Sequence, residues 1–272
     1  MAQQMTSGEN GLVAPRVRDL VVMVFTDLDG TLLDHDTYAF DAARPALAAL
    51  TARAIPVVPV TSKTLAELQP LMHMLNLSGP AIAENGAVVR RADGAVDRAM
   101  SRQELAAVLG NLPQDIRRDM RCFCDMDIDE IIALTGLRHD DAQRAAAREA
   151  SEPFLWQGTD MPPAELTAAL AKDNVRLTRG GRFFHIVPVR DKAAAMAELL
   201  ADQAAGTQSW ALGDGPNDVS MLLAATRGAV IANPHVDTET LLPANHNLYI
   251  SRGIGPVGWG EAITAFLKED FD

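Results

Sequence analysis

The chain carries only two cysteines, Cys122 and Cys124, in 272 residues. That is too few for a disulfide framework, and no Cys or His cluster has the spacing of a structural zinc site, so both read as reduced thiols. Long apolar runs are also missing. No stretch approaches the roughly 20 residues that span a bilayer, and residues 1–18 lack the apolar middle of a signal peptide. The expected location is the cytoplasm, with no membrane partner. Basic charge is scarce: 24 Lys and Arg stand against 36 Asp and Glu, a formal net charge of −12. Phosphate backbones reward concentrated Lys and Arg, so this balance argues against a nucleic-acid partner. It leaves room for a small anionic substrate, because local charge in a pocket can oppose the net field. There is no internal repeat, and no low-complexity segment beyond alanine-rich helices.

What is present begins with Val21-Val-Met-Val-Phe25, an apolar run with no polar interruption. Such a run predicts a strand buried on both faces of a parallel sheet. It stops at Asp27 and Asp29, with Gly30 letting the chain turn away. Ligands of open α/β sheets bind outside the carboxyl ends of the strands. Two carboxylates held that close repel unless a cation lies between them, and a hard divalent ion answers that problem. Asp and Gly are also common turn residues, which is the plainer reading of the same junction.

Residues 1–18 are polar and expected to be flexible; the fold is expected to start near Leu20. A helix over Asp41–Arg53, a strand over Ile55–Val60 and a capping box at Thr64-Leu-Ala-Glu67 opening a helix to about Leu75 follow. Pro56 and Pro59 sit awkwardly in that strand. Thr61-Ser62-Lys63 then lies between a strand end and a helix N-terminus, a junction that favours anions. Ala81–Ala83 and Ala87–Val89 suggest a short hairpin around Glu84-Asn-Gly86. From 91 to 187 the pattern mixes helices at 101–112, 127–136, 139–150 and 163–172 with a hairpin over Val175–Ile186, turning at Gly180-Gly181. The βα alternation then resumes with a helix at Lys192–Ala204, strands at Trp210–Leu212 and Ala229–Ala232, a helix at Asn217–Ala225 and a terminal helix near 259–268. The expected fold class is α/β: a doubly wound parallel sheet from 19–90 and 188–272, interrupted by an inserted α+β cap at 91–187.

Trp210-Ala-Leu-Gly-Asp-Gly-Pro-Asn-Asp218 is a second apolar strand ending in glycines and acids. If it lies beside the first strand, Asp214 and Asp218 approach Asp27 and Asp29 at one rim, an oxygen-rich site suited to Mg²⁺. Thr61 and Lys192 add the donor and the positive charge that a phosphoryl group in transfer needs on its equatorial oxygens.

In these motifs, Asp27-Leu-Asp-Gly-Thr31, Thr61, Lys192 and Gly213-Asp-Gly-Pro-Asn-Asp218, the sequence resembles the haloacid dehalogenase superfamily of aspartyl-phosphate enzymes, over nearly all of residues 20–268. More narrowly, Phe25 through Asp36, Thr61-Ser-Lys-Thr64, Glu84-Asn-Gly86, Ser151-Glu-Pro-Phe154, Gly181-Arg-Phe-Phe-His185 and the glycine-rich tail at 253–260 look like its mannosyl-3-phosphoglycerate phosphatase branch. Ala193 stands where relatives often place a glycine after the motif lysine.

That resemblance implies a Mg²⁺-dependent double displacement on a small phosphorylated glycosylglycerate, yielding phosphate and a glycosylglycerate of the compatible-solute kind. Asp27 is the implied nucleophile and Asp29 the general acid and base. The implied metal set is Asp27, the backbone carbonyl of Asp29 and Asp214, with Asp218 nearby. Thr61, Ser62, Lys192 and Asn217 are expected on the phosphate. In the cap, Arg182 and His185 are expected to meet the substrate, a guanidinium facing the glycerate carboxylate, whereas Arg179 is expected at the surface. Glu84, Asn85 and Ser151-Glu152 either bond sugar hydroxyls or cap local backbone. A broader sugar-phosphate phosphatase or a phosphomutase is the alternative, and a non-catalytic phosphometabolite sensor is disfavoured because the whole catalytic set is present.

Overall fold

The computed structural model describes residues 20–158, 161–179, 182–236, 242–243 and 246–271. The flexible segment expected at 1–18 and the Gly180-Gly181 turn lie outside these residues. Among the described residues, no helix is long and apolar enough to cross a membrane.

The first strand, β1 (Val22–Thr26), is buried at every position. A short 3₁₀ turn leads to α1 (Arg44–Ala52), which carries Pro45 in its first turn, where the missing N–H costs nothing. Next come β2 (Val57–Pro59) and α2 (Leu65–Met74). The Thr64 hydroxyl accepts the Glu67 N–H at 3.1 Å, and the Glu67 carboxylate accepts the Thr64 N–H at 2.8 Å, closing the expected capping box. The segments β3 (Ala81–Ala83), β4 (Val88–Arg90) and β5 (Val96–Arg98) form an antiparallel three-stranded sheet joined to β2 by a bridge from Val60 to Ile82.

The inserted part runs through α3 (Arg102–Gly110), α4 (Gln114–Arg118), β6 (Met120–Cys122), α5 (Ile128–Thr135), α6 (His139–Ala146), β7 (Glu152–Trp156), α7 (Ala164–Ala171), β8 (Val175–Arg179) and β9 (Phe184–Pro188). Its four strands pair antiparallel in the order β6-β7-β9-β8. The chain returns through α8 (Lys192–Ala201), β10 (Gln208–Gly213), α9 (Val219–Ala224), β11 (Arg227–Ala232), β12 (Tyr249–Ile254) and α10 (Gly255–Phe271).

The large sheet is parallel, ordered β12-β11-β10-β1-β2. Its two faces bury separate cores. Val22 and Val24 join one with Trp210, Leu212 and Trp259, while Met23 and Phe25 join the other with Ala211, Met196 and Met221. This is why β1 is apolar without alternation. The chain is thus a doubly wound α/β core with an inserted α+β cap. The cap strands bury one face against α3, α4 and α7 through Leu105, Ile116, Phe154, Leu166 and Ile186.

Pro59 fits because β2 is the outer strand of the five. The bonds there run from Val24 N–H to the Pro56 carbonyl and from Val60 N–H to the Thr26 carbonyl, and neither asks a proline for a proton. The β5 strand pairs with β4, and Val96 packs on the first core, so residue 91 falls inside a core-side hairpin. We infer that the cap starts after Arg98.

Candidate active site

Parallel pairing of β1 with β10, Thr26 opposite Leu212, brings the two acidic strand ends side by side. Asp27, Asp214 and Asp218 are each at most 7% exposed, and each offers an oxygen within 4.8 Å of the others'. The Lys192 ammonium, delivered by the first residue of α8, donates to Asp27 Oδ1 at 2.7 Å and to Asp218 Oδ1 at 2.6 Å. Gly86 makes that delivery possible: a Cβ there would lie 2.3 Å from the Asp191 carbonyl oxygen.

Asp218 and Asp214 are held by further contacts. Asp218 Oδ2 accepts the backbone N–H groups of Asp214 and Gly215 at 3.1 and 2.9 Å. Asp214 accepts the Thr31 hydroxyl at 2.8 Å and the Asn233 amide at 2.6 Å. Asp29 stands apart from the three, its Oδ2 2.9 Å from the Lys63 ammonium, and its buried Oδ1 has no protein partner.

Three buried carboxylates share one lysine. Burial pushes the Asp27 carboxyl well above the ordinary range, repulsion from Asp218, Asp214 and Asp29 adds to this, and Lys192 pulls the other way. Burial raises Asp214 too, with Asp218 adding to it. Burial works to lower Lys192, but the Asp218 and Asp27 carboxylates outweigh it and hold the ammonium charged. An excess of buried negative charge in an all-oxygen donor set fits a hard divalent cation.

Asp27 and Asp214 line the floor of a cavity of about 560 Å³ between core and cap. Asp27, Asp29, Ser62, Asn85, Asp214 and Asn217 line it from the core side, and Arg176, Thr178, Arg179 and His185 from the cap side. Asn217 donates to Asn85 Oδ1 at 3.1 Å. Burial, helped by the Arg148 charge, pushes His185 down to about 4, so its imidazole is neutral near pH 7.

Lys192 and Asp218, bonded to each other and through Lys192 to Asp27, are not on the cavity wall, and further expected residues are off it as well. Thr61 is buried at the end of β2, its hydroxyl accepting the Lys63 N–H at 3.2 Å. Arg182 is exposed and absent from the cavity wall, where Arg179 and Arg176 stand instead. Glu84 is fully occupied: its carboxylate accepts the N–H groups of Glu149 and Ala150 and the Ser151 hydroxyl, at 2.8, 3.1 and 2.5 Å. It therefore ties the core to the chain entering β7. Glu152 is likewise taken up, by Arg102 and the Cys124 N–H.

From sequence, Lys63 stood only as part of an anion-favouring junction and Thr31 as part of the first acidic motif, and Asn233, Arg176 and Thr178 had no role. Asn233 directly follows β11, so the strand-end rule that found Asp27 and Asp214 also points to it.

Residues 24–129 match the haloacid dehalogenase-like hydrolases. Across 91% of this chain and 98% of its own length, a glucosyl-3-phosphoglycerate/mannosyl-3-phosphoglycerate phosphatase of Methanococcoides burtonii is 32% identical. The chain belongs to the haloacid dehalogenase superfamily, in its mannosyl-3-phosphoglycerate phosphatase family. It is a phosphatase. Solved structures agree on the fold: a haloalkanoate-superfamily phosphatase from Bacteroides thetaiotaomicron superposes with a TM-score of 0.65 at 18% identity, covering 96% of this chain and 98% of that one. The sucrose-phosphatase of Synechocystis sp. PCC6803 does so with a TM-score of 0.59 at 15% identity, covering 92% and 98%.

Proposed function

We propose that this phosphatase is Mg²⁺-dependent and removes phosphate from mannosyl-3-phosphoglycerate, or a closely related glycosyl-3-phosphoglycerate, through an aspartyl-phosphate on Asp27. The products are mannosylglycerate and inorganic phosphate. One observation carries the substrate: the relation to the Methanococcoides enzyme runs through core and cap alike, over 91% of the chain.

The geometry supports the chemistry. Asp27 lies at the cavity floor with one oxygen tethered to Lys192. A carboxylate oxygen of Asp27 attacks phosphorus, the bond to the ester oxygen breaks, and Asp29 gives that oxygen a proton. Asp29 then takes a proton from water, whose oxygen attacks the aspartyl-phosphate, releasing phosphate and restoring Asp27. The Lys63 ammonium, 2.9 Å from Asp29 Oδ2, orients that carboxyl group. Asp27, Asp214 and the Asp29 backbone carbonyl would hold Mg²⁺, with Asp218, the third clustered acid, beside them. When bound, the ion offsets the negative charge that otherwise keeps an anionic phosphoryl group from an anionic nucleophile. Lys192, Ser62 and Asn217 complete the phosphate pocket, and the cap closes over the remainder of the substrate.

The test is phosphate release from mannosyl-3-phosphoglycerate, glucosyl-3-phosphoglycerate, 3-phosphoglycerate and hexose phosphates, each with Mg²⁺ and with chelator. Chelator-sensitive preference for a glycosyl-3-phosphoglycerate is the expected result. Comparable rates across the panel would withdraw the substrate and leave the phosphatase.

A further inference from the structure

We propose that Arg176 reads the carboxylate of the substrate, selecting phosphate esters whose alcohol part carries a second negative charge. This inference rests on the glycosyl-3-phosphoglycerate reading above and names the residue that enforces it.

The placement follows from strand alternation. In β8, Val175 and Leu177 face the cap core, which turns Arg176 and Thr178 to the opposite side. Thr178 pairs with His185 across the sheet, and Arg176, Thr178 and His185 all line the cavity above Asp27. A phosphate ester with its phosphorus at Asp27 extends toward this face.

What singles out Arg176 is an unmet need on the cavity wall. Its Nε is buried with no hydrogen-bond partner. Several other cap arginines have a carboxylate within ion-pair distance: Arg102 has Glu152, Arg117 has Asp125, Arg121 has Glu130 and Arg144 has Asp141. Among the described residues, Arg176 has none. The other cationic groups near the cavity are engaged, Lys63 by Asp29, Lys192 by Asp27 and Asp218, and Arg179 over the Phe184 ring at 5.5 Å. Arg148 also has an unpartnered buried Nε, but it is off the cavity wall and its Nη1 donates to the Ser62 carbonyl at 2.8 Å. His185 is neutral. Leaving a buried guanidinium N–H unpaired is costly, and a hydroxyl answers it only in part. A carboxylate matches its planar fork with two parallel hydrogen bonds and removes the uncompensated charge.

The experiment compares mannosyl-3-phosphoglycerate with its carboxyl methyl ester, which keeps the sugar and phosphate and loses the charge. The full chain is assayed with Mg²⁺, as wild type, Arg176→Gln and Arg176→Lys. We expect wild type to prefer the free acid by about a hundredfold in kcat/KM, mostly through KM. Arg176→Gln should bring the ratio to within about threefold, and Arg176→Lys should recover part of it. Each ratio is taken within one preparation, so loss of folded protein cancels. A wild-type ratio near one, or a wild-type ratio surviving in Arg176→Gln, overturns the inference. Wild type that hydrolyses p-nitrophenyl phosphate but neither glycosyl compound overturns the substrate reading instead, and the carboxylate assigned to Arg176 goes with it.

Discussion

The Lys192 ammonium donates to Asp218 at 2.6 Å with both side chains 1% exposed. Asp218 gives its second oxygen to two backbone N–H groups in the loop after β10, so it joins the helix that starts at Lys192 to the strand that presents Asp214. Asp218→Ala removes all three acceptor contacts, leaving two buried N–H groups unpaired and Lys192 with Asp27 alone. The expected loss of stability in urea unfolding is about 2–4 kcal/mol, with Asp218→Asn costing less because an acceptor remains. A loss below about 1 kcal/mol for the alanine variant would show the pair to be a minor part of the fold.

Asp27 answers differently to substitution, because its charge is a burden on the fold. Burial and then the neighbouring acids oppose its ionisation. Asp27→Asn keeps the shape and drops the charge, so its melting temperature in chelator should equal or exceed that of wild type. Phosphate release should fall below about one-thousandth of wild type, since the amide is no nucleophile. Turnover near wild type in a clean preparation would remove Asp27 from that role.

Metal binding has a readout independent of turnover. An ion that binds only the folded acid cluster stabilises it by about 2.7 kcal/mol at a hundred times its dissociation constant. Wild type should therefore melt higher in Mg²⁺ than in chelator. Asp214→Asn should lose most of that gain, since Asp214 is one of the three clustered acids. An undiminished gain would locate the ion elsewhere.

His185 makes acid stability measurable at the cap. Burial, with the Arg148 charge acting the same way, holds the folded imidazole down to about 4 from an ordinary 6.5. Between those values the unfolded chain binds a proton that the folded chain refuses, so stability rises with pH across this window and is lost as pH falls. The urea midpoint of wild type should drop more steeply from pH 7 to pH 4.5 than that of His185→Gln. Equal slopes would mean that His185 takes up its proton in the folded protein.

The chemistry was easier to read in the sequence than the cap. β1 runs apolar from Val22 to Phe25 and β10 from Trp210 to Leu212 because both sheet faces are covered, and an acid follows each strand, so Asp27, Asp29, Asp214 and Asp218 could be named from the sequence. Strand β7 escaped notice because Glu152 and Pro153 resemble a loop, although β7 pairs on both sides in the middle of its sheet. Strand β12 is broken in pattern by Ser251, Arg252 and Gly253. Which hairpin arginine faces the substrate depends on register, and the pairing of Arg179 with Phe184 leaves Arg182 beyond the strand ends. Glu84 was ambiguous for a related reason: its partners lie more than sixty residues away, at 149 to 151.

The most local test of the site uses a residue with no side chain. Gly30 has φ of +80°, and a Cβ built there lies 2.6 Å from Asp214 Oδ2. Gly30→Ala therefore imposes backbone strain and a collision with a clustered acid at once, on a loop whose N–H at Gly30 bonds the Leu33 carbonyl at 2.9 Å. Backbone strain alone costs about 1–2 kcal/mol, which an α/β domain of this size should survive folded. Asp214, displaced, then leaves the position set by Thr31 and Asn233. The variant should need much higher Mg²⁺ for half-maximal phosphate release, with activity partly regained at saturating ion. A variant with an unchanged Mg²⁺ requirement would mean that Asp214 does not set the affinity for the ion.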